Sequence, residues 1–217
     1  MKLSPDIIIR PFSSGDRASL RRIAYETSFL GYPEKFLNES DLIMDVLTLY
    51  FTDYEPESCF VALWDNKVVG YVIGVKNSQG IKKNLGRTVV WPLIAKILKQ
   101  GIVFKMSFLR LCWHSLLSFC KGEFHYLDVS SEYPALLHIN LDKNFRKLGV
   151  GNMLIKHFEK YLQESNISGV HLGTMSESAK EFFIKNSYSV LYKSKRSYLR
   201  YQLGVDAPFF ILGKKLR

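Results

Sequence analysis

Cysteine is scarce. Cys59, Cys112 and Cys120 are the only three in 217 residues, and none stands in a CxxC or beside histidines at metal-ligand spacing. That excludes a disulfide framework and a zinc-binding motif, so no metal is expected, and the odd count suits a reducing compartment. No stretch offers ~18 uninterrupted apolar residues, which argues against a transmembrane helix. Met1-Lys2-Leu3-Ser4-Pro5-Asp6 leads into a short apolar run interrupted by Arg10, without the length or cleavage pattern of a secretory leader. The expected location is the cytoplasm. Internal repeats and low-complexity tracts are also missing. An apolar fraction of 47% with 23% charged residues excludes wholesale disorder, and the length fits one domain over residues 1–217 better than two.

Acidic residues are missing from one long segment. Residues 81–122 contain Lys82, Lys83, Arg87, Lys96, Lys99, Lys105, Arg110 and Lys121 and no Asp or Glu, so most of the formal net charge of +10 is local. Such charge suits phosphate-bearing ligands, nucleic acid or an anionic membrane surface. No nucleic-acid-binding motif accompanies it, and no nucleic-acid partner is expected. Trp91, Ile94, Ala95 and Leu98, and then Phe108, Leu111, Cys112, Ser115 and Leu116, recur at helical spacing. The segment therefore reads as an insertion of two or three helices. Its stripe either packs on a sheet beneath solvated cations or lies against an anionic membrane, or the whole acts as a lid for an acidic partner.

The remainder alternates in character. Ile7 to Phe12 reads as a buried β-branched strand, followed by a helix from Asp16 with Leu20, Ile23, Ala24 and Thr27 inward. Gly31-Tyr32-Pro33 breaks that helix. A second runs from about Glu39 to Phe51 on Leu42, Ile43, Val46, Leu49 and Tyr50. Cys59–Trp64 and Val68–Gly74 flank the polar turn Asp65-Asn66-Lys67 and predict a hairpin. After the insertion come a strand over 136–141 and a helix over 149–164, with Met153, Leu154, His157, Phe158 and Leu162 inward. A strand over 169–173, a helix over 178–185 with Ala179, Phe182 and Phe183 inward, and strands over 188–193 and 208–212 complete the chain. This order predicts an α/β (α+β) fold with a mixed, mostly antiparallel central sheet and helices on both faces.

The chemistry concentrates where strand 136–141 passes through Arg146-Lys147-Leu148-Gly149-Val150-Gly151 into a helix. Backbone N–H groups at such a junction converge where the helix dipole is positive, forming a receptor for pyrophosphate. Gly149 and Gly151 permit close approach and unusual φ values, while Arg146 and Lys147 raise the local potential. No Gly-Lys-Ser/Thr follows, so this is not a P-loop, and a third glycine that would complete a dinucleotide fingerprint is missing.

The run from Leu141 to Gly151 resembles the Arg/Gln-x-x-Gly-x-Gly/Ala pattern of the GNAT superfamily of acyltransferases. More narrowly, Tyr133-Pro134 through Asn140, with Gly169-Val170-His171-Leu172-Gly173, is similar to bacterial members related to the acetyltransferase-like domain of O-GlcNAc hydrolases. The resemblance implies that acetyl-CoA, as co-substrate, lies where the fourth and fifth strands splay apart. Backbone groups of Ile139 and Leu141 would bond its pantetheine arm, and amides of Lys147, Leu148, Gly149, Val150, Gly151 and Asn152 would hold its pyrophosphate. Segment 81–122 has no counterpart in the minimal fold of that family.

The implied reaction moves an acetyl group to the primary amine of a small molecule or peptide, largely by positioning two reactants. The family often supplies an acid as tyrosine in an Ala-x-x-Phe-Tyr helix. Here Ala179-Lys180-Glu181-Phe182-Phe183 leaves no hydroxyl at the matching Phe183, and Tyr188 is a substitute candidate. His138 and Asn140 share one strand face and are the other catalytic candidates, although family members that place a base on this strand use the face of Ala135, Leu137 and Ile139. Glu55 and Glu57 end the second helix on the acceptor side, and Tyr32 is the candidate substrate contact. Two rivals to the enzyme remain: a non-catalytic module of this fold binding acyl-CoA or a partner, and a membrane-associated interaction protein built on 81–122. Either a monomer or a homodimer suits the sequence.

Overall fold

The computed structural model describes residues 6–37 and 39–216. Residues 1–5, read above for a leader, lie outside that range, as do the side chains of residues 82–85.

Strand β1 (Ile8–Pro11) pairs antiparallel with β2 (Cys59–Trp64), and β2 with β3 (Lys67–Val75). The hairpin turn is two residues long. Asp65 and Asn66 both hold positive φ, 48° and 58°, which matches the twist of the flanking strands. Helices α1 (Arg17–Thr27), α2 (Pro33–Phe36) and α3 (Ser40–Tyr54) lie between β1 and β2. The insertion supplies α4 (Ser78–Leu85), α5 (Trp91–Lys99) and α6 (Met106–Cys120) before β4 (Ala135–Leu141). Then follow α7 (Val150–Glu164), β5 (Gly169–Thr174), α8 (Glu177–Lys185), β6 (Ser189–Arg196), α9 (Arg200–Leu203) and β7 (Ala207–Lys215). Among the described residues they form one seven-stranded sheet in the order β1-β2-β3-β4-β5-β7-β6. Only the β4–β5 pair is parallel.

Two apolar layers sandwich this sheet. On one side Leu154, Phe158 and Leu162 of α7 pack on Val72, Ala135, Leu137 and Leu172, all buried. On the other, Leu20, Ile23 and Ala24 of α1 pack on Val61, Tyr71 and Ile73. Each such side chain contributes roughly 1.5–3 kcal/mol through removal from water. The α7 layer depends on Gly74, because a Cβ there would lie 2.4 Å from both the Leu136 carbonyl and the Phe158 ring.

Several inward assignments shift by one or two residues. Val46 and Met153 are exposed, while Leu47 and Ile155 pack inward in their helices. Ile8 is exposed as well: β1 is an edge strand, and it is Ile9 and the preceding Ile7 that face the α7 layer. In the insertion, Leu93, Ile97 and Phe108 pack against Leu42 and Ile43 of α3, so Trp91, Ile94 and Leu98 turn outward.

Candidate active site between two splayed strands

β4 and β5 begin as neighbours and then part. Their pairing consists of Ala135 with Val170 and Leu136 with His171, after which β4 continues alone on that side to Leu141. Its other edge stays in register with β3, Tyr71 opposite Asn140 and Val72 opposite Ile139. The Asp142 amide donates to the Val69 carbonyl at 2.9 Å, which marks the pair that exchanges hydrogen bonds. Antiparallel pairs alternate, so Asn140 and His138 also direct their backbone groups at β3. Leu137, Ile139 and Leu141 direct theirs into the opening. The strand edge facing the cleft is thus carried by Ile139 and Leu141.

That edge runs into the glycine loop. Asp142 caps a single turn at Lys143–Phe145 by accepting from the Asn144 amide at 3.0 Å, and Phe145 is anchored on Trp64, ring centroids 5.3 Å apart. The backbone then takes positive φ at Lys147 (62°) and at Gly149 (86°), the N-cap of α7. Met153 donates to Gly149 at 3.1 Å, so the amides of Val150, Gly151 and Asn152 precede the first bonded amide of the helix and have no intrahelical acceptor. They lie at the positive end of the helix dipole, directly after the left-handed turns at Lys147 and Gly149. Among the described residues nothing lies within 4 Å of a Cβ built on Gly149. At Gly151 the reason for glycine differs: a Cβ would lie 3.0 Å from the Phe182 ring of α8. Arg146, Lys147 and Leu148 are exposed at the rim, and the Asn152 side chain accepts from Asn186 at 3.0 Å.

On the α1 face of the sheet, three polar side chains meet behind the cleft. Asn140 Nδ2 donates to Tyr71 Oη at 2.8 Å and lies 2.9 Å from His138 Nε2. That contact makes His138 Nε2 an acceptor, leaving its proton on Nδ1. Burial lowers the imidazole pKa to about 4 and raises that of the Tyr71 phenol. All three are therefore uncharged at neutral pH. Tyr71 was not singled out in the sequence, where it is one aromatic in an apolar strand. Only the register of β3 on β4 brings it to Asn140.

A strand edge leading into a donor cradle at a helix start suits an extended ligand that ends in phosphates. The family model for the acetyltransferase (GNAT) family matches residues 24–185. The chain belongs to the GNAT acetyltransferase family. No curated protein matches the sequence. Among solved structures, SsHAT is 20% identical with a TM-score of 0.73, the alignment covering 98% of this chain and 100% of that one. Ard1 from Thermoplasma volcanium is 19% identical over 96% and 97% of the two chains, with a TM-score of 0.56. The polyamine N-acetyltransferase of Drosophila melanogaster, an enzyme that forms N-acetylagmatine, is 14% identical over 97% and 100%, with a TM-score of 0.58. At these identities the likeness is one of fold.

Other candidates lie farther from the opening of this GNAT sheet. Phe183 is buried against Tyr188, ring centroids 5.1 Å apart, and it is the preceding Phe182 that reaches the first turn of α7. Tyr188 is buried near Glu159, and both burial and that carboxylate raise its pKa. Glu159 lies nine residues beyond the start of α7, about 14 Å along the helix, so the structure does not bring Tyr188 to the loop. Glu55 receives the Lys76 amide at 3.4 Å where β3 ends, beside the start of β4, and burial raises its pKa. Tyr32 is exposed beneath the Lys35 ammonium, 4.3 Å from the ring centroid. It follows three consecutive residues of positive φ, Phe29, Leu30 and Gly31, whose turn packs through Phe29 and Phe36 towards Met175, just past β5. Tyr32 is thus carried by the turn that bridges the two halves of the sheet. No cluster of metal-ligating side chains occurs among the described residues.

Proposed function

We propose that the chain transfers an acetyl group from acetyl-CoA to a primary amine by direct attack on the thioester. The observation that supports it most is the continuity of the bare Ile139–Leu141 edge with the amide cradle ending at Asn152. In this reading the backbone groups of Ile139 and Leu141 take the pantetheine amides, the amides of 147–152 hold the pyrophosphate, and Arg146 and Lys147 balance its charge. The amine nitrogen bonds to the acetyl carbon, the carbon–sulfur bond breaks, and the amine loses a proton. With a pKa of about 4, His138 is too weak a base to hold that proton. We assign its release to water, and assign to His138 and Asn140 the fixing of a neutral polar wall behind the reacting carbonyl. A thiol of pKa near ~8.5 departs readily as thiolate, so Tyr188 need not act as the acid.

Polyamines and agmatine, the acceptors named for a structural relative, are the first amines to try, and Tyr32 is the proposed contact for them. Residues 132–190 carry the proposed narrower kinship with the acetyltransferase-like domain of O-GlcNAc hydrolases. We place the protein in the cytoplasm, as a monomer or homodimer, consistent with three free cysteines. Phe183 favours one second reading, a module that binds acyl-CoA without turnover. The test is thiol release from acetyl-CoA across a panel of primary amines. Amine-dependent release is expected. Saturable coenzyme binding with no release for any amine would favour the second reading.

A further inference from the structure

Helix α6 is inverted relative to a helix that packs a soluble core. Its inward face carries Ser107, His114, Ser115 and the fully buried Ser118 beside Phe108 and Leu111. Its outward face carries Met106, Leu109, Trp113, Leu116 and Phe119 at spacings of three and four, with Trp113 59% and Phe119 68% exposed. Helix α5 buries Leu93 and Ile97 against the core in the ordinary way but also turns Trp91, Ile94 and Leu98 outward. Phe104, in the turn that joins them, is 84% exposed. Two successive helices thus present large apolar side chains to the outside.

The surrounding charge is of one sign. Arg87, Lys99 and Arg110 are exposed, and residues 81–122 contain no carboxylate. Half-buried Lys96 pairs with Asp45 of α3 and exposed Lys105 with Glu39 at its N-cap, each at 2.6 Å, and both tie the insertion to that helix. We propose that the outward faces of α5 and α6 form a surface for docking on an anionic lipid bilayer, with the aromatic side chains in the headgroup boundary and Lys99 and Arg110 among the lipid phosphates. A second copy of the chain fits less well, since a symmetric contact would set two such acid-free cationic segments against each other. The helices would lie on the membrane, because none of the described helices is long and apolar enough to cross one.

Flotation of the full chain with vesicles tests this, using equal parts phosphatidylglycerol and phosphatidylcholine beside phosphatidylcholine alone. The native chain should float with the anionic vesicles only. Each surface cation should contribute about fivefold in partitioning, so Lys99→Glu with Arg110→Glu should lower it by roughly 25-fold or more. Trp113→Glu with Phe119→Glu should also abolish flotation while leaving the melting temperature unchanged, since both side chains are outside the core. In a Trp64→Phe background the remaining tryptophan emission should shift to the blue on binding. Failure of the native chain to float at low salt would overturn the proposal. So would flotation that survives both double substitutions, or an oligomer that the Trp113→Glu and Phe119→Glu pair dissolves in a chain that never binds vesicles.

Discussion

Gly149 separates two properties of the cradle that glycine usually confounds. Its φ of 86° is strained for most side chains, but its surroundings are open. Asn and Asp both tolerate this backbone region and are nearly isosteric, so they differ there mainly in charge. Gly149→Asn should therefore retain coenzyme affinity within a few-fold, and Gly149→Asp should lose it. His138 has a consequence for stability. Its folded pKa of about 4 lies below the unfolded value of 6.5, so the unfolded chain binds the extra proton first as pH falls. Stability should be unaffected above pH ~6.5 and decline between there and ~4, by at most about 3 kcal/mol from this residue. Urea unfolding at neutral and mildly acid pH measures the decline, and His138→Asn should remove this contribution. Tyr71→Phe removes the acceptor of Asn140 Nδ2. It should cost about 1–2 kcal/mol, read as a lower denaturation midpoint with an unchanged m-value.

The α7–β3 contact is a tight constraint on the elements that frame the site. Gly74→Ala would force a methyl against backbone as well as against Phe158, and backbone cannot swing aside. A loss of about 2 kcal/mol or more is expected in thermal or urea unfolding. Most of these elements were legible as periodicity: the hairpin at 59–75 and the strand–loop–helix at 135–164 fall within a residue or two of where the sequence put them. Facing was less legible. Val46 and Leu47 of α3 are adjacent and both apolar, and α7 carries the apolar run Met153-Leu154-Ile155, so periodicity alone does not decide which of them faces inward. In α6 both faces are partly apolar, and tertiary contacts, Phe108 against the Leu42 and Ile43 cluster and His114 stacked on Tyr201, decide which one is bare. The Tyr71–Asn140–His138 cluster was half visible, because its third member lies on another strand and register is a property of the assembled sheet.

At the scale of the molecule, the proposed function divides between the two sides of an opened sheet. The α7 side supplies a fixed cradle of amides, and the α1 side supplies a neutral polar wall under an aromatic turn. The cationic insertion stands outside both, docked on α3 through Asp45 and Glu39. Its charge was plain in composition, whereas the cleft was not, since it arises where β5 ceases to pair with β4. Calorimetric titration with acetyl-CoA of the native chain, Gly149→Asn and Gly149→Asp tests the central claim most directly. Saturable one-to-one binding by the first two, and none by a Gly149→Asp chain that melts at the temperature of Gly149→Asn, is the predicted result. No binding by the folded native chain, or equal binding by all three, would contradict the assignment of residues 147–152 as the coenzyme cradle.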